Sequence, residues 1–308
     1  MHDLIIIGGG AAGLSAAMYA LGKQLDFLLI YDTLGKAGTP QQLIGQVEEE
    51  YLAGAKAVGL FQRHVTMQAN RVLHDHVTRA TKETGVFHVE TERHGVRESA
   101  AVIVATGATP IALDVPGARK LFGQGLGYSV TTHAHILAGR NVAVIGTTVR
   151  ALRGVHELAR TAAQIYLVAP DSTGLETPLA RALRRLPNVT VVEGYEVTEV
   201  VGMSNVEQVI VAREGQTRRL VVDAAFVDLG LVPNSGMVRR IAQTDADGFI
   251  WVDDRNATTC PGLFAAGDVT TAFGEQVLIA IGEGARAALS AYDYLLPQLP
   301  VYDMRPMD

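Results

Sequence analysis

Apolar residues gather along the chain in short runs closed by glycine. Leu4-Ile5-Ile6-Ile7 runs into Gly8, and Val142-Ala143-Val144-Ile145 runs into Gly146. Each run is followed by an Ala/Leu-rich helical stretch and then by a second apolar strand. Those second strands are Phe27 to Tyr31 and Gln164 to Ala169. Strand–helix–strand order twice over predicts two doubly wound units with parallel sheets and right-handed crossovers. Between them, Ala69 to Arg97 reads as short strands in a polar setting, ending at the apolar strand Ala101 to Ala105. The Gly/Pro-rich stretch Ala108 to Gly125 reads as a domain crossing, and Pro233-Asn234-Ser235-Gly236 as a second one. Further strand-like runs lie at Val189 to Val192, Gln208 to Ala212 and Leu220 to Leu231, and the chain closes on a long helix, Gln276 to Leu295.

Composition narrows the class. The 308 residues suit two domains of about 150 residues each. A chain 48% hydrophobic and 19% charged packs as a globular protein, and a net charge of −6 argues against a nucleic-acid partner. Leu4 to Gly22 carries no charge, but Gly8-Gly9-Gly10 interrupts it and no basic segment precedes it. Neither a membrane span nor a leader is expected there. Cys260 is the one cysteine, so no disulfide forms within the chain and no multi-cysteine metal site exists. A reducing, cytoplasmic setting is the expectation. Glycine supplies 32 residues, an excess over the usual ~7% that points to tight turns and close backbone approach.

Gly8-Gly9-Gly10-Ala11-Ala12-Gly13 fits G-x-G-x-x-G between a strand and a helix. Gly8 permits the tight turn, Gly10 lets backbone approach a pyrophosphate, and Gly13 lets helix and strand pack closely. The fingerprint calls for an acid about 20 residues on, to bind the adenosine ribose. Tyr31-Asp32 occupies that neighbourhood, and Asp32 either hydrogen-bonds the ribose or opens the next turn.

Three further stretches carry a resemblance. Cys260-Pro261-Gly262-Leu263-Phe264-Ala265-Ala266-Gly267-Asp268-Val269 resembles the second flavin motif of the thioredoxin reductase family. So do Thr106-Gly107 at a strand end and Gly274-Glu275-Gln276-Val277 leading into Ala285 to Ala291. The resemblance runs from Leu4 to Leu295 and implies FAD held jointly by the first and last parts of the chain. It implies an α/β fold of two Rossmann-like (three-layer ββα) domains. The FAD domain, 1–112 and 237–308, is discontinuous, with a degenerate NAD(P)H-type domain, 113–236, inserted. It also implies a homodimer. Residues expected at the cofactor are Gly8, Gly10, Ala11, Ala12, Gly13, Tyr31, Asp32, Gln42, Val72, Thr106, Gly107, Gly267, Asp268, Gln276 and Val277. Asp268 would accept from a ribityl hydroxyl, and the N-terminus of the last helix would face the flavin pyrimidine edge. Gly282 and Gly284 each weaken that helix by ~1 kcal/mol relative to Ala, which predicts close packing there.

The chain departs from the family in four places. The redox Cys-x-x-Cys is replaced by Ser129-Val130-Thr131-Thr132, and hydroxyls cannot cycle between thiolate and disulfide. In the second glycine loop, Gly146-Thr147-Thr148-Val149-Arg150-Ala151 keeps only the first glycine. Ala169-Pro170-Asp171 stands where the family's His-Arg-Arg grips the NADPH 2′-phosphate, so an anion replaces two cations. These changes argue against NADPH. Arg150 and Arg153 read as solvated helix-face charges. The Gly-Gly-Gln turn beside the flavin is replaced by Ala37-Gly38-Thr39-Pro40-Gln41-Gln42, and Cys260 reads as an inert packing residue.

His133 follows the Ser/Thr substitution where the family carries an acidic proton donor, which makes it the candidate proton carrier. His74-Asp75-His76 and the His133/His135 pair lack an evident third metal ligand, so no metal is expected. Tyr302, in the tail from Pro297 to Asp308, is a candidate aromatic cover for the flavin. The primary expectation is an FAD oxidoreductase without a dithiol relay and without NADPH, exchanging electrons with a ferredoxin-like protein, a small molecule or O₂. The alternatives are a non-catalytic flavin-binding sensor and a ferredoxin–NAD(P) reductase-like enzyme.

Overall fold

A computed structural model describes residues 1–36 and 53–299. Those residues divide into two compact units, one made of residues 1–36, 53–109 and 232–299 and the other of Pro110–Leu231.

The first unit is built on one sheet. Its strands run in the spatial order Val72–His74, Phe27–Tyr31, His2–Ile7, Gly95–Val104, Val86–Thr91, Val77–Glu83, with Leu263–Ala265 joining Gly95–Val104. The ten-residue strand Gly95–Val104 has three neighbours, with Leu263–Ala265 parallel along its second half. Its first half pairs antiparallel with Val86–Thr91 (Phe87 opposite Ser99), while its second half pairs parallel with the opening strand (Ile6 opposite Ile103). The paired stretches Leu4–Ile7 and Ala101–Val104 are apolar at every position because both faces are covered. Leu4 and Ile6 face a core with Leu14, Ala16 and Ala17, whereas Ile5 and Ile7 face the opposite core with Val102, Val104 and Ile250. The helix Ala11–Gly22 and the closing helix Val277–Leu295 lie on the first of these faces and pack on each other. A further helix, Ala53–Thr66, precedes the region read from sequence as strands.

The second unit holds a parallel sheet in the order Val189–Glu193, Gln164–Ala169, Asn141–Ile145, Ala224–Val227, Leu126–Gly127. The helix Val149–Leu158 follows Asn141–Ile145, which completes the second strand–helix–strand repeat. A separate antiparallel sheet joins Glu196–Val201, Gln208–Arg213 and Gln216–Val221. The run Leu220 to Leu231 is therefore not one strand. It breaks at Asp223, whose carboxylate accepts from the Asn141 backbone N–H at 2.8 Å, so the chain leaves the antiparallel sheet and enters the parallel one.

Candidate functional site

The opening strand delivers the chain to Gly8 at φ +115°, a left-handed conformation that glycine adopts without strain. A Cβ there would lie 2.3 Å from the Ala105 carbonyl oxygen, and one on Gly13 would lie 1.8 Å from the Gly8 oxygen. Gly10 differs: a Cβ on it would meet nothing within 4 Å. Helix Ala11–Gly22 starts immediately afterwards, and no side chain caps it. Its first amides and the positive end of its dipole are thus left without a side-chain partner beside an open Gly10, the arrangement that favours an anion. Ala11 and Ala12 are buried in the same turn.

At the end of the second strand the Tyr31 ring closes the back of this loop. A Cβ on Gly9 would sit 2.6 Å from it, and the ring meets His74 edge-on at 4.6 Å. Burial raises the Tyr31 hydroxyl above its ordinary pKa. A pocket of about 470 Å³ opens beside it, lined among others by Tyr31, Asp32, Leu34, Gly35, Gln62 and His74. That volume and that acid suit an adenosine. Asp32 is exposed, and His76 Nδ1 approaches its Oδ2 at 3.1 Å. Val72, half-buried, pairs with Leu29 at the sheet edge below the pocket.

The neighbouring Asp75 has a structural role. Burial acts to raise its carboxyl. The His94 side chain, the backbone N–H groups of His76 and Arg93, and the Thr91 hydroxyl outweigh that and hold it well below the usual carboxylate range. The His94 ring nitrogen lies 2.6 Å away. His74-Asp75-His76 therefore belongs to an ordering network, and among the described residues no group of three or more His, Cys, Asp or Glu could hold a metal ion.

The second half of the site comes from chain ends far apart in sequence. Thr106 donates to the Asn234 carbonyl at 2.6 Å, and Asn234 Nδ2 donates back to the Thr106 carbonyl at 3.0 Å. This reciprocal pair fixes the turn at Gly107, where φ is +66°. Gly267 sits against the first helix, since a Cβ on it would lie 3.1 Å from Ala12 Cβ. Its N–H donates to Glu283 Oε2 at 2.6 Å. Asp268, mostly buried, receives Lys36 Nζ at 2.5 Å. Gln276 precedes the closing helix in extended conformation, and Val277 begins the helix with no side-chain cap. A Cβ on Gly284 would lie 2.0 Å from the Ala12 oxygen, and Ser15 Oγ donates to the Ile281 carbonyl at 2.7 Å. Close packing is thus confirmed at Gly284. It is not found at Gly282, where a Cβ would meet nothing within 4 Å.

Lys36, Asn234 and Glu283 were not singled out from sequence. Glu283 carried a usable signal, a carboxylate on a helix face otherwise built from Ala280, Gly284 and Ala287. Burial raises its pKa, partly offset by the Gly267 N–H and Arg286, while Asp268 adds to the rise.

The second unit repeats the loop with different contents. Gly146 adopts φ +117°, and a Cβ there would strike the Asp228 oxygen at 2.0 Å, as at Gly8. Thr148 then caps the following helix, its Oγ1 accepting from the Ala151 N–H at 3.0 Å. The hydroxyl stands where the first loop leaves an open anion cradle. Arg150 is not a solvated charge: its guanidinium grips Asp228 with Nε–Oδ2 2.6 Å and Nη2–Oδ1 2.8 Å. Asp171 accepts from the Thr173 N–H at 2.9 Å, and a Cβ on Gly174 would lie 2.2 Å from the Thr147 oxygen.

Ser129 precedes the short helix Val130–His133, and the Thr132 backbone lies within it. His133 Nδ1 lies 2.9 Å from the Ser129 carbonyl, and its ring is 6.1 Å from Phe226. Burial lowers the His133 pKa, with the Ser129 hydrogen bond opposing and His135 adding to the fall. Cys260 is half-buried. Burial raises its thiol, a shift Lys82 opposes, so it is a weak nucleophile. Gln42, the Ala37–Gln42 turn and Tyr302 lie outside the described residues. No helix among the described residues is long and apolar enough to cross a membrane.

A family model described as pyridine nucleotide-disulphide oxidoreductase matches residues 2–284. The chain is 31% identical over 303 residues to a protein of Treponema pallidum (strain Nichols) named thioredoxin reductase, covering 96% of this chain and 97% of that one. It is also 31% identical over 299 residues to a protein of Bacillus subtilis (strain 168) named NADH dehydrogenase, covering 96% of this chain. There it spans only 58% of the relative's length. The solved thioredoxin reductase from Streptococcus pyogenes superposes with a TM-score of 0.87 at 25% identity, over 96% of this chain and 99% of that one. The one from Giardia duodenalis gives 0.86 at 22% identity over the same shares, a likeness of fold.

Proposed function

The chain belongs to the pyridine nucleotide-disulphide oxidoreductase family as an FAD-dependent oxidoreductase of thioredoxin reductase type, and from that premise we propose that it works without a dithiol relay and without NADPH. When bound, FAD supplies electron transfer. The chain's own residues supply its cradle: Gly10 and the first turn of Ala11–Gly22 for the pyrophosphate, the pocket at Tyr31 and Asp32 for the adenosine, and the Asp268 turn for the ribityl chain. The electron partner is a ferredoxin-like protein, a small molecule or O₂. The protein acts as a cytoplasmic homodimer.

The observation that carries this reading is the Thr148 hydroxyl seated on the helix Val149–Leu158. It takes up a helix-terminal amide that a dinucleotide's phosphate would otherwise use, and its side chain stands where the family's backbone approaches that phosphate. Asp171 offers a carboxylate near the place of two cations, and nothing on the loop replaces them. Ser129 and Thr132 add the loss of the thiols. Burial favours the neutral form of His133, so a proton that it takes up is readily passed on.

Calorimetric titration of the purified protein with NADP⁺ and NAD⁺ tests the reading. No heat of binding is expected from NADP⁺, and saturable binding would overturn the NADPH-independent assignment.

A further inference from the structure

Gly35 and Gly267 flank the first turn of the helix Ala11–Gly22. A Cβ on Gly35 would lie 3.3 Å from Gly10 Cα, and one on Gly267 would lie 3.1 Å from Ala12 Cβ. The residue after each glycine carries a charge, and the two charges meet: Lys36 Nζ stands 2.5 Å from Asp268 Oδ2. Asp268 is only 15% exposed, whereas Lys36 remains 47% exposed. An ion pair thus sits beside the one glycine-loop position whose Cβ direction is open.

We propose that Lys36 is a pyrophosphate-binding residue, a cation from the turn after the second strand that meets the dinucleotide's phosphates while still offsetting Asp268. This rests on the FAD reading above. A pyrophosphate at Gly10 brings negative charge close to the Asp268 carboxylate, and like charges at that range oppose binding. The helix dipole offers about half a charge. Lys36 supplies a full one, on a flexible stem that reaches either anion. The pair also occupies Asp268 before the cofactor arrives, so the carboxylate is held in place without standing as a lone buried charge.

Flavin-free protein titrated with FAD and with riboflavin, which has no phosphate, tests this. FAD affinity of Lys36→Met should fall roughly ten- to a hundredfold, the loss of one charged hydrogen bond. Lys36→Arg should stay within about threefold of wild type, since it keeps the charge. Riboflavin affinity should not fall in Lys36→Met, and the salt dependence of FAD binding should flatten. FAD affinity unchanged or increased in Lys36→Met would overturn the proposal while leaving the cofactor assignment intact. A wild-type protein that binds neither flavin would overturn the assignment itself.

Discussion

Arg150 lays its guanidinium flat against the Asp228 carboxylate through two parallel hydrogen bonds, 2.6 and 2.8 Å long, 78 residues apart in sequence. Asp228 is 4% exposed and Arg150 31%. The two partners therefore respond differently to loss of the other. Arg150→Ala strands a buried carboxylate and should cost about 3 kcal/mol, at the low end for breaking a buried pair. Asp228→Ala leaves an arginine that reaches water and should cost about 1–2 kcal/mol. Urea denaturation of both variants and of the double Ala variant checks this. Additive losses would mean that the pair contributes no coupling.

The closing helix offers a matched pair of substitutions. Gly284→Ala drives a methyl into the Ala12 carbonyl and should destabilise by about 1–3 kcal/mol or more, with FAD binding weakened as the first helix shifts. Gly282→Ala meets open space and should stabilise by about 0.5–1 kcal/mol through helix propensity and unfolded-state entropy. Thermal melts of the two variants should move in opposite directions. A common direction would discount the close approach at Gly284.

Glu283 predicts a pH dependence. Its folded pKa is raised, chiefly by burial, so the folded state holds the proton more tightly than the unfolded chain does. Folding then incurs no penalty below the unfolded value of about 4.3, and a growing one as pH rises through the folded pKa. Glu283→Gln keeps an acceptor for the Gly267 N–H and removes the titration. Its urea midpoint relative to wild type should rise with pH from about 4.5 upward. A constant difference would contradict this. Glu283→Ala, which leaves the Gly267 N–H unmet, should cost about 1–3 kcal/mol.

His133 provides a kinetic test. If it carries a proton during electron exchange, His133→Asn should alter the pH dependence of flavin reduction or reoxidation on the acid side of neutrality, where burial has moved its titration. An unchanged profile would reduce it to the helix-end hydrogen bond with Ser129.

Local pattern foretold much of this. Leu4 to Ile7 and Val142 to Ile145 are uninterrupted β-branched or apolar runs ending in glycine, and each proved a buried parallel strand. The glycine loop was readable because Gly8, Gly9 and Gly13 answer constraints within a few residues or on the adjacent strands. Pattern failed where hydrophobicity continued across a topological break, as at Leu220 to Leu231, and only the tertiary role of Asp223 marks that break. It also missed partners distant in the chain. Nothing near Arg150 announces Asp228, and nothing near Lys36 announces Asp268, 232 positions away. Charged side chains on helix faces and loops look alike in sequence whether they end in water or on a buried carboxylate.

On the proposed function, a flavin scaffold of this family draws its electrons from a source other than NADPH. Anaerobic titration of the purified, FAD-loaded protein with NADPH, NADH and reduced ferredoxin, followed through the flavin absorbance, tests it most directly. NADPH should leave the flavin band intact while reduced ferredoxin bleaches it. Stoichiometric bleaching by NADPH would contradict the account, and a flavin inert to every donor would favour a non-catalytic flavin-binding protein instead.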